Sequence, residues 1–491
     1  MKISNLYRCT YVYLALPLLL FLMTWLRLEF MVVMVVLFLG AFYKAFPCSD
    51  DKTIMIDKKT WCTLGIIAFI WCFCGGIGYF YYQSFDYHFR NAVFRDLINY
   101  EWPVFYDKAN TPLVYYMAFW LPVALIGKLL IVCNIEAETA FYIANIFLFL
   151  YALFGVLLIF CHITKAIGGN CFKHIMIGIL GFVFFSGLDI IGQTFFVVEK
   201  APFKHHIEWW AQFLQYSSHT TSMFWVFNQF IPTALLTLLF YNERNIKNFG
   251  FLITMSLFFA PYPTAGIGVL MVAYAVKRLL EVESKKQFIA EEILSVPNLI
   301  GVFWILPMVV MYFITNSEGM NGYYYVFRFT TPLGLFTFYM VEFVPYIVLI
   351  YKKYKHELLY WVVVVALLAI PFMRLDHQNN FCMRSSIPMM IILSILVIKF
   401  VIEEKNGLLK YLLILTLLIG SVTPMYEFYR GFYNVKKERK LNLVTDEIRT
   451  LNQKLVVMPI FLWDANHQYT AKNYKIDIFW QWFAKKQKGL N

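Results

Sequence analysis

Charge is scarce in this chain of 491 residues: Asp, Glu, Lys and Arg together make up 15%. A soluble domain carries roughly 25% charged residues, so this set cannot cover a water-facing globule. Acid is scarcer than base, 30 residues against 42, which leaves a formal charge of +12. Such an excess can mark a nucleic-acid partner, but no basic run is interleaved with aromatics here. Lys and Arg gathered in cytoplasmic loops, facing anionic headgroups, account for it instead. Cysteine is sparse too. The 9 cysteines show neither zinc spacing nor a disulfide framework, and most sit in apolar runs as small hydrophobes. No Gly-rich phosphate loop, Walker motif or nucleophile elbow occurs.

What the chain has in plenty is apolar surface. Hydrophobic residues make up 60%, with 50 Phe and 33 Tyr, and the mean hydropathy is +0.61. A spanning helix needs about 20 mostly apolar residues. Runs of that kind lie at 9–26, 28–46, 61–80, 139–161, 172–190, 225–241, 296–315, 334–350, 357–373, 385–403 and 408–425. Two shorter runs, 248–260 and 263–277, flank Pro261 and Pro263 and read as two short spans or one broken hairpin. The expected fold is all-α, a polytopic integral membrane protein with about 12–13 transmembrane helices. The first 25 residues resemble a signal peptide without a small-x-small cleavage site, so they read as a retained signal-anchor helix.

Lysine-rich loops at 44–59, 242–247, 277–286, 352–355 and 403–410 orient the helices by the positive-inside rule. The opposite face then receives polar segments at 81–111, 191–224, 316–333 and 374–384, and a basic tail from 426. Residues 112–133 are apolar enough to span, but a full crossing would invert everything after them. They are therefore expected to form a re-entrant or interfacial hairpin, broken at Pro122 and Gly127. The organisation reads as an N-terminal hairpin and loop (1–60), a core (61–425) and an extracytoplasmic tail (426–491).

Three polar segments can carry chemistry. In 83–107, Phe85, Phe89, Val93, Phe94, Leu97 and Ile98 recur at helical spacing. Asp86, His88, Arg90, Asn91, Arg95 and Asp96 occupy the rest of this stretch, as on an amphipathic helix at the outer surface. The plain alternative is an i,i+4 Asp86–Arg90 pair on a solvated face. In 374–384, Arg374, Asp376, His377, Asn379, Asn380 and Arg384 suit a phosphate or pyrophosphate, since Arg offers planar bidentate donors. They equally suit an interfacial loop with snorkelling arginines. In 200–219, Glu208 sits between His205–His206 and Trp209–Trp210, with His219 and Asn228 following. Carboxylate, imidazole and indole together make a sugar site, or an aromatic belt with a salt bridge. Adjacent histidines on a helix do not share a metal, and no strong metal spacing occurs.

This arrangement resembles the GT-C superfamily, polytopic glycosyltransferases that use polyprenyl-phosphate-linked sugars outside the cytoplasmic membrane. Their first large outer loop carries an acid close to a span, followed by interfacial helices; here Asp86 follows the 61–80 run. The chain is also similar to a widespread bacterial family of large membrane proteins. The matching strings are Asp86-Tyr87-His88-Phe89-Arg90-Asn91, Arg95-Asp96-Leu97-Ile98, Trp102-Pro103-Val104 and Leu113-Val114-Tyr115-Tyr116. Ser186-Gly187-Leu188-Asp189, Asn380-Phe381-Cys382-Met383-Arg384 and Ser386-Ile387-Pro388 continue the match. Two features depart from the GT-C pattern: two extra helices come first, and there is no Asp-x-Asp pair.

The resemblance implies a mechanism and a place. Asp86 would be the general base for an acceptor hydroxyl, with Asp96 as the second candidate. Arg95, Arg374 and Arg384 would hold the lipid phosphate. His88, Asn91, Glu208 and His219 would bind sugar or acceptor, and Arg90, Asp376, Asn379 and Asn380 complete the expected contacts. The donor would be a polyprenyl-phosphate sugar, the acceptor a glycan, lipid or protein, and the setting the bacterial cytoplasmic membrane. No cofactor is indicated, and a divalent cation is not called for without the Asp-x-Asp pair. A lipid-linked saccharide flippase is the main rival, predicting charges inside spans and inverted repeats. An O-antigen polymerase or ligase is the other, with a larger arginine-rich loop than 374–384 provides.

Overall fold

The computed structural model describes residues 2–47, 52–196, 206–316, 324–375, 379–405, 407–444, 447–452, 457–458, 463–464, 466–471 and 473–486. Asp376, expected as a substrate contact, lies outside these residues, as do His205 and His377.

Helices α1 (Ile3–Trp25), α2 (Leu28–Ala45) and α3 (Lys58–Cys74) open the fold. Asp57 caps α3 by accepting the Thr60 N–H, which satisfies one of the orphan donors of a first turn. The run expected to span to residue 80 stops at Cys74. Gly76 and Gly78 then take φ of 73° and 84°, a left-handed backbone that suits glycine. The chain therefore turns early, towards helix α4 (Tyr87–Asn99). After the short pair β1 (Phe105–Tyr106) and β2 (Thr111–Pro112), an extended stretch leads into α5 (Leu121–Val132).

Residues 112–133 do not form the expected hairpin. A short 3₁₀ turn over Ala118–Trp120 runs into α5 as one apolar helical stretch, Ala118–Val132. Pro122 stands in the first turn of α5, where a missing N–H costs nothing. Gly127 lies against Ile98 of α4 at a distance that leaves no room for a Cβ. Both residues thus serve a continuous helix packed on α4.

The bundle continues through α6 (Ala137–Ala166), α7 (Phe172–Val183), α8 (Asp189–Phe195) and α9 (His219–Glu243). The Ser218 side chain caps α9 by accepting the Thr221 N–H at 2.9 Å. Helices α10 (Phe249–Phe259) and α11 (Pro261–Glu281) meet at Ala260, with Pro261 in the first turn of α11. A short α12 (Lys285–Phe288) leads to α13 (Val296–Ile300) and α14 (Leu306–Ile314), which make one span. Then come α15 (Pro332–Glu342) and α16 (Val344–Tyr354), bent by 59° at their junction, and α17 (Leu358–Ala369). Helices α18 (Asn380–Ser385) and α19 (Ile387–Glu403) form one span, and so do α20 (Leu408–Gly420) and α21 (Val422–Glu438). A one-turn α22 (Asn466–Tyr469) lies near the end.

Among the described residues, eight helices are long and apolar enough to cross a membrane, or nine if α15 and α16 count as one. Four shorter apolar helices add to these: 118–132, 172–183, 246–259 and 358–372. The expectation of about 12–13 spans counts three of these as crossings, 172–183, 246–259 and 358–372. Composition cannot tell a full crossing from a half one. At the centre stand α9 and the α18–α19 span, with 94% and 89% of their most apolar windows buried. At the periphery, Val32 and Val36 of α2 and Leu408, Leu415 and Leu418 of α20 expose large side chains, which only lipid can cover without penalty.

The last helix of this series differs from expectation. The span placed at 408–425 continues to Glu438, so residues 426–438 are helix rather than the start of an outer tail. The segment beyond it returns to the body of the protein. The Val114 N–H donates to the Tyr469 carbonyl at 2.9 Å and the Leu451 N–H to Asp96 at 2.9 Å. Arg27 N–H donates to Phe483 O at 2.9 Å and Lys485 N–H to Trp25 O at 2.8 Å.

Candidate functional site

Helix α4 was expected to lie on the surface with its polar face in water. Instead it is buried on both faces: Arg90, Asn91, Arg95 and Asp96 are each 6% exposed or less. The returning C-terminal segment and the start of α6 cover the polar side. The consequence is that most of these side chains have structural partners. Asn91 donates to Gln83 at 2.8 Å. Arg95 stacks over the Phe141 ring at 3.9 Å and pairs with Glu138 at 3.5 Å. Asp96 accepts from the Tyr106 hydroxyl at 3.0 Å and from the Leu451 N–H at 2.9 Å. Burial outweighs those hydrogen bonds and raises its carboxyl to about 6. His88 packs edge-on against Phe85.

Asp86 is the exception. Its side chain stays 37% exposed while it pairs with the buried Arg90 at 2.8 Å. Arg90 keeps a second donor, Nη1, buried and without a hydrogen-bond partner among the described residues. Around this pair stand Tyr115 and Tyr469, both within electrostatic reach of Arg90, and Tyr469 also within reach of Asp86 and Tyr116. The Tyr115 ring lies 3.8 Å from that of Tyr116 and 4.5 Å from that of Tyr469. Arg384 closes the group, its Nη1 donating to the Tyr116 hydroxyl at 2.9 Å. One acid, two arginines and three tyrosines, drawn from α4, the 111–117 stretch, α18 and α22, thus meet in one place.

An apolar cavity of about 510 Å³ lies between α11, α17 and the α18–α19 span, and Ser385, the residue after Arg384, lines it. Trp361 lies towards one end of it and Met373, Phe381 and Ser385 towards the other. The walls are almost free of polar atoms. The α17 wall, from Trp361 to Ile370, covers about 13 Å of helix rise.

Arg374 is held differently. Its guanidinium is clamped between the rings of Phe213 and Phe329, at 4.0 and 4.1 Å. Asn379, in the left-handed region at φ 55°, caps α18 and donates to the Phe213 carbonyl at 2.8 Å. These residues dock α18 and its approach on the loop that precedes α9. Asn380 begins α18 in the same corner. His219 is placed in the packed core, its Nδ1 2.8 Å from the Phe182 carbonyl and its ring 4.2 Å from that of Phe182.

Glu208 belongs to a third group that the sequence only half revealed. His206 lies 3.4 Å from Glu208 and 2.9 Å from Glu427, and Arg430 pairs with Glu427 at 2.8 Å. Trp225 donates to Glu427 at 3.0 Å and stacks on the His206 ring. Gln215 and the Ser218 N–H donate to Glu208 at 2.6 and 2.9 Å. Burial pulls the His206 imidazole down, but Glu427 and Glu208 together outweigh it and hold it up at about 9. Among the described residues no three His, Cys, Asp or Glu side chains gather as around a metal ion.

Tyr116, Tyr469, Glu427 and Arg430 were missed as site residues. A signal existed for one of them. Glu427 is an acid in the extension of an apolar helix, and a buried acid there demands a partner.

The chain is an all-α polytopic membrane protein, with a polar cluster opened by Asp86 and an enclosed acid network centred on Glu427. Comparison with protein-family models, curated proteins and solved structures finds no match to it.

Proposed function

We propose that this protein is a membrane glycosyltransferase that moves a sugar from a polyprenyl-phosphate donor to a cell-envelope acceptor. The setting would be the outer face of the bacterial cytoplasmic membrane, and the acceptor a glycan, lipid or protein. The observation that carries the reading is the Asp86–Arg90–Tyr116–Arg384 cluster, joined through α18 to an apolar cavity that the next residue, Ser385, lines. A lipid-linked donor needs both an apolar channel for its chain and cations for its phosphate, and few other substrates need the two side by side.

In this reading the exposed oxygen of Asp86 takes the proton of an acceptor hydroxyl. The acceptor oxygen then bonds to the anomeric carbon as the carbon–oxygen bond to the phosphate breaks, with inversion. The free donor of Arg90 and the guanidinium of Arg384 neutralise the departing polyprenyl phosphate. Asp96 does not serve as the base here, because its hydrogen bonds hold the C-terminal segment.

A flippase for lipid-linked saccharides is the second reading. It is favoured by the carboxyls of Glu342 and Glu427, which are buried on apolar helices. The two readings separate in reconstituted vesicles supplied with polyprenyl-phosphate sugars. Transferred sugar supports the enzyme; movement of intact donor between leaflets without turnover overturns it.

A further inference from the structure

Three helices and a loop converge on two carboxyl groups that the proposed reaction does not use. Asp189 opens α8 and Glu342 closes α15, and each is 1% exposed. The Asp189 Oδ2 accepts from the hydroxyls of Ser186 and Thr423, at 2.8 and 3.0 Å. The Glu342 Oε1 accepts from the Trp210 indole at 3.0 Å. Its other oxygen, Oε2, fills the space a Cβ on Gly187 would need. That oxygen is buried and has no hydrogen-bond partner among the described residues. The Leu188 N–H donates to the Val341 carbonyl at 3.0 Å and fixes the 186–189 turn against the end of α15.

The two carboxyls lie within hydrogen-bonding reach of one another. Two carboxylates are acceptors only, so this contact requires a proton. The titratable groups facing the pair do not supply a countercharge. Glu208 and Tyr216 from the stretch before α9, Tyr346 from α16 and Cys382 from α18 are all acids. The nearby cations, His206 and Arg430, are engaged with Glu208 and Glu427. Two buried like charges without a cation between them cannot both persist.

We propose that Asp189 and Glu342 form a proton-binding site, holding one proton between them at neutral pH and latching α8 and the 207–211 turn onto α15 and α21. This goes beyond the glycosyl-transfer reading and does not depend on it. Loss of the proton would set two carboxylates against each other beside α8 and the 206–218 loop, and that loop carries Phe213 and hence the ring on which Arg374 stacks.

The test is infrared spectroscopy of the full-length purified protein at pH 8. A D96N/E243Q background removes two other enclosed carboxyls. A carbonyl stretch of a protonated carboxylic acid is expected there, and its loss is expected in D189N and in E342Q. The amide of either variant can still donate across the pair, so both are expected to fold, with thermal stability less dependent on pH than in the parent. Absence of the band from the parent, or its survival in both variants, overturns the proposal. If neither variant folds, the parent spectrum alone decides.

Discussion

The Asp86 cluster and the Glu427 network contain the same kinds of residue and differ in closure. Around Glu427 the histidine, arginine, indole and neighbouring carboxylate are arranged so that each charge faces an opposite one, with both carboxylates and the imidazole buried. Around Asp86 the carboxylate remains 37% exposed and Arg90 retains an unused donor. Each group keeps one buried guanidinium nitrogen without a hydrogen-bond partner among the described residues, Arg90 Nη1 and Arg430 Nε, so what separates a closed cluster from an open one is the exposed carboxylate. An open one has capacity left for a ligand, which is why sugar transfer is assigned to Asp86 rather than to the richer collection of acids.

That contrast can be broken by mutation, and the largest effect is expected in the closed region. Glu427→Ala would leave His206 and Arg430 buried without their shared partner, a loss of about 3–5 kcal/mol. Thermal unfolding in detergent reads this directly. An unfolding temperature close to wild type would show that the network is not structural. Asp86→Asn should act mainly on activity, lowering sugar transfer by roughly 10²–10⁴-fold. The variant also leaves the buried Arg90 without its countercharge, so some stability is lost, less than in Glu427→Ala because Asp86 is 37% exposed and the amide oxygen can still accept from Arg90. Arg384→Gln is expected to cost about 10²-fold in kcat, with a smaller loss in Tyr116→Phe, which removes the hydroxyl that Arg384 reaches.

The pH dependence sharpens the comparison further. The His206 imidazole is held up at about 9, above the ordinary value near 6.5. Between those values the folded protein holds a proton that the unfolded chain has released. Its stabilisation is therefore complete below about pH 6.5 and lost as the pH rises through about 9. The Asp96 carboxyl, raised to about 6, acts in the same direction from about pH 4 to 6. Unfolding temperatures should fall across both windows. H206Q should flatten the upper one and D96N the lower; two unchanged profiles would refute the assigned partners.

The membrane class and most helices were legible in the sequence because hydropathy alone carries them. Helix ends were less so. The stop at Cys74 depends on glycines taking positive φ, and the continuation past residue 425 depends on packing of α21 against α9. The polar stripe of α4 was read correctly as a stripe, but the sequence could not show that the C-terminal segment covers it. For that reason Asp86 and Arg384 stood out as candidates in the sequence, while Tyr469, which packs beside them from a stretch 383 positions beyond Asp86, did not. Buried networks are the hardest part, since Asp189, Glu342 and Glu427 are isolated acids until the fold brings them near their partners.

The central claim is that the open carboxylate of Asp86 is the proton acceptor in sugar transfer. Single-turnover transfer from a polyprenyl-phosphate sugar, compared between the wild type and Asp86→Asn at matched folded fraction, tests it most directly. The account predicts that donor still binds while transfer nearly stops. Transfer at the wild-type rate in Asp86→Asn would contradict it.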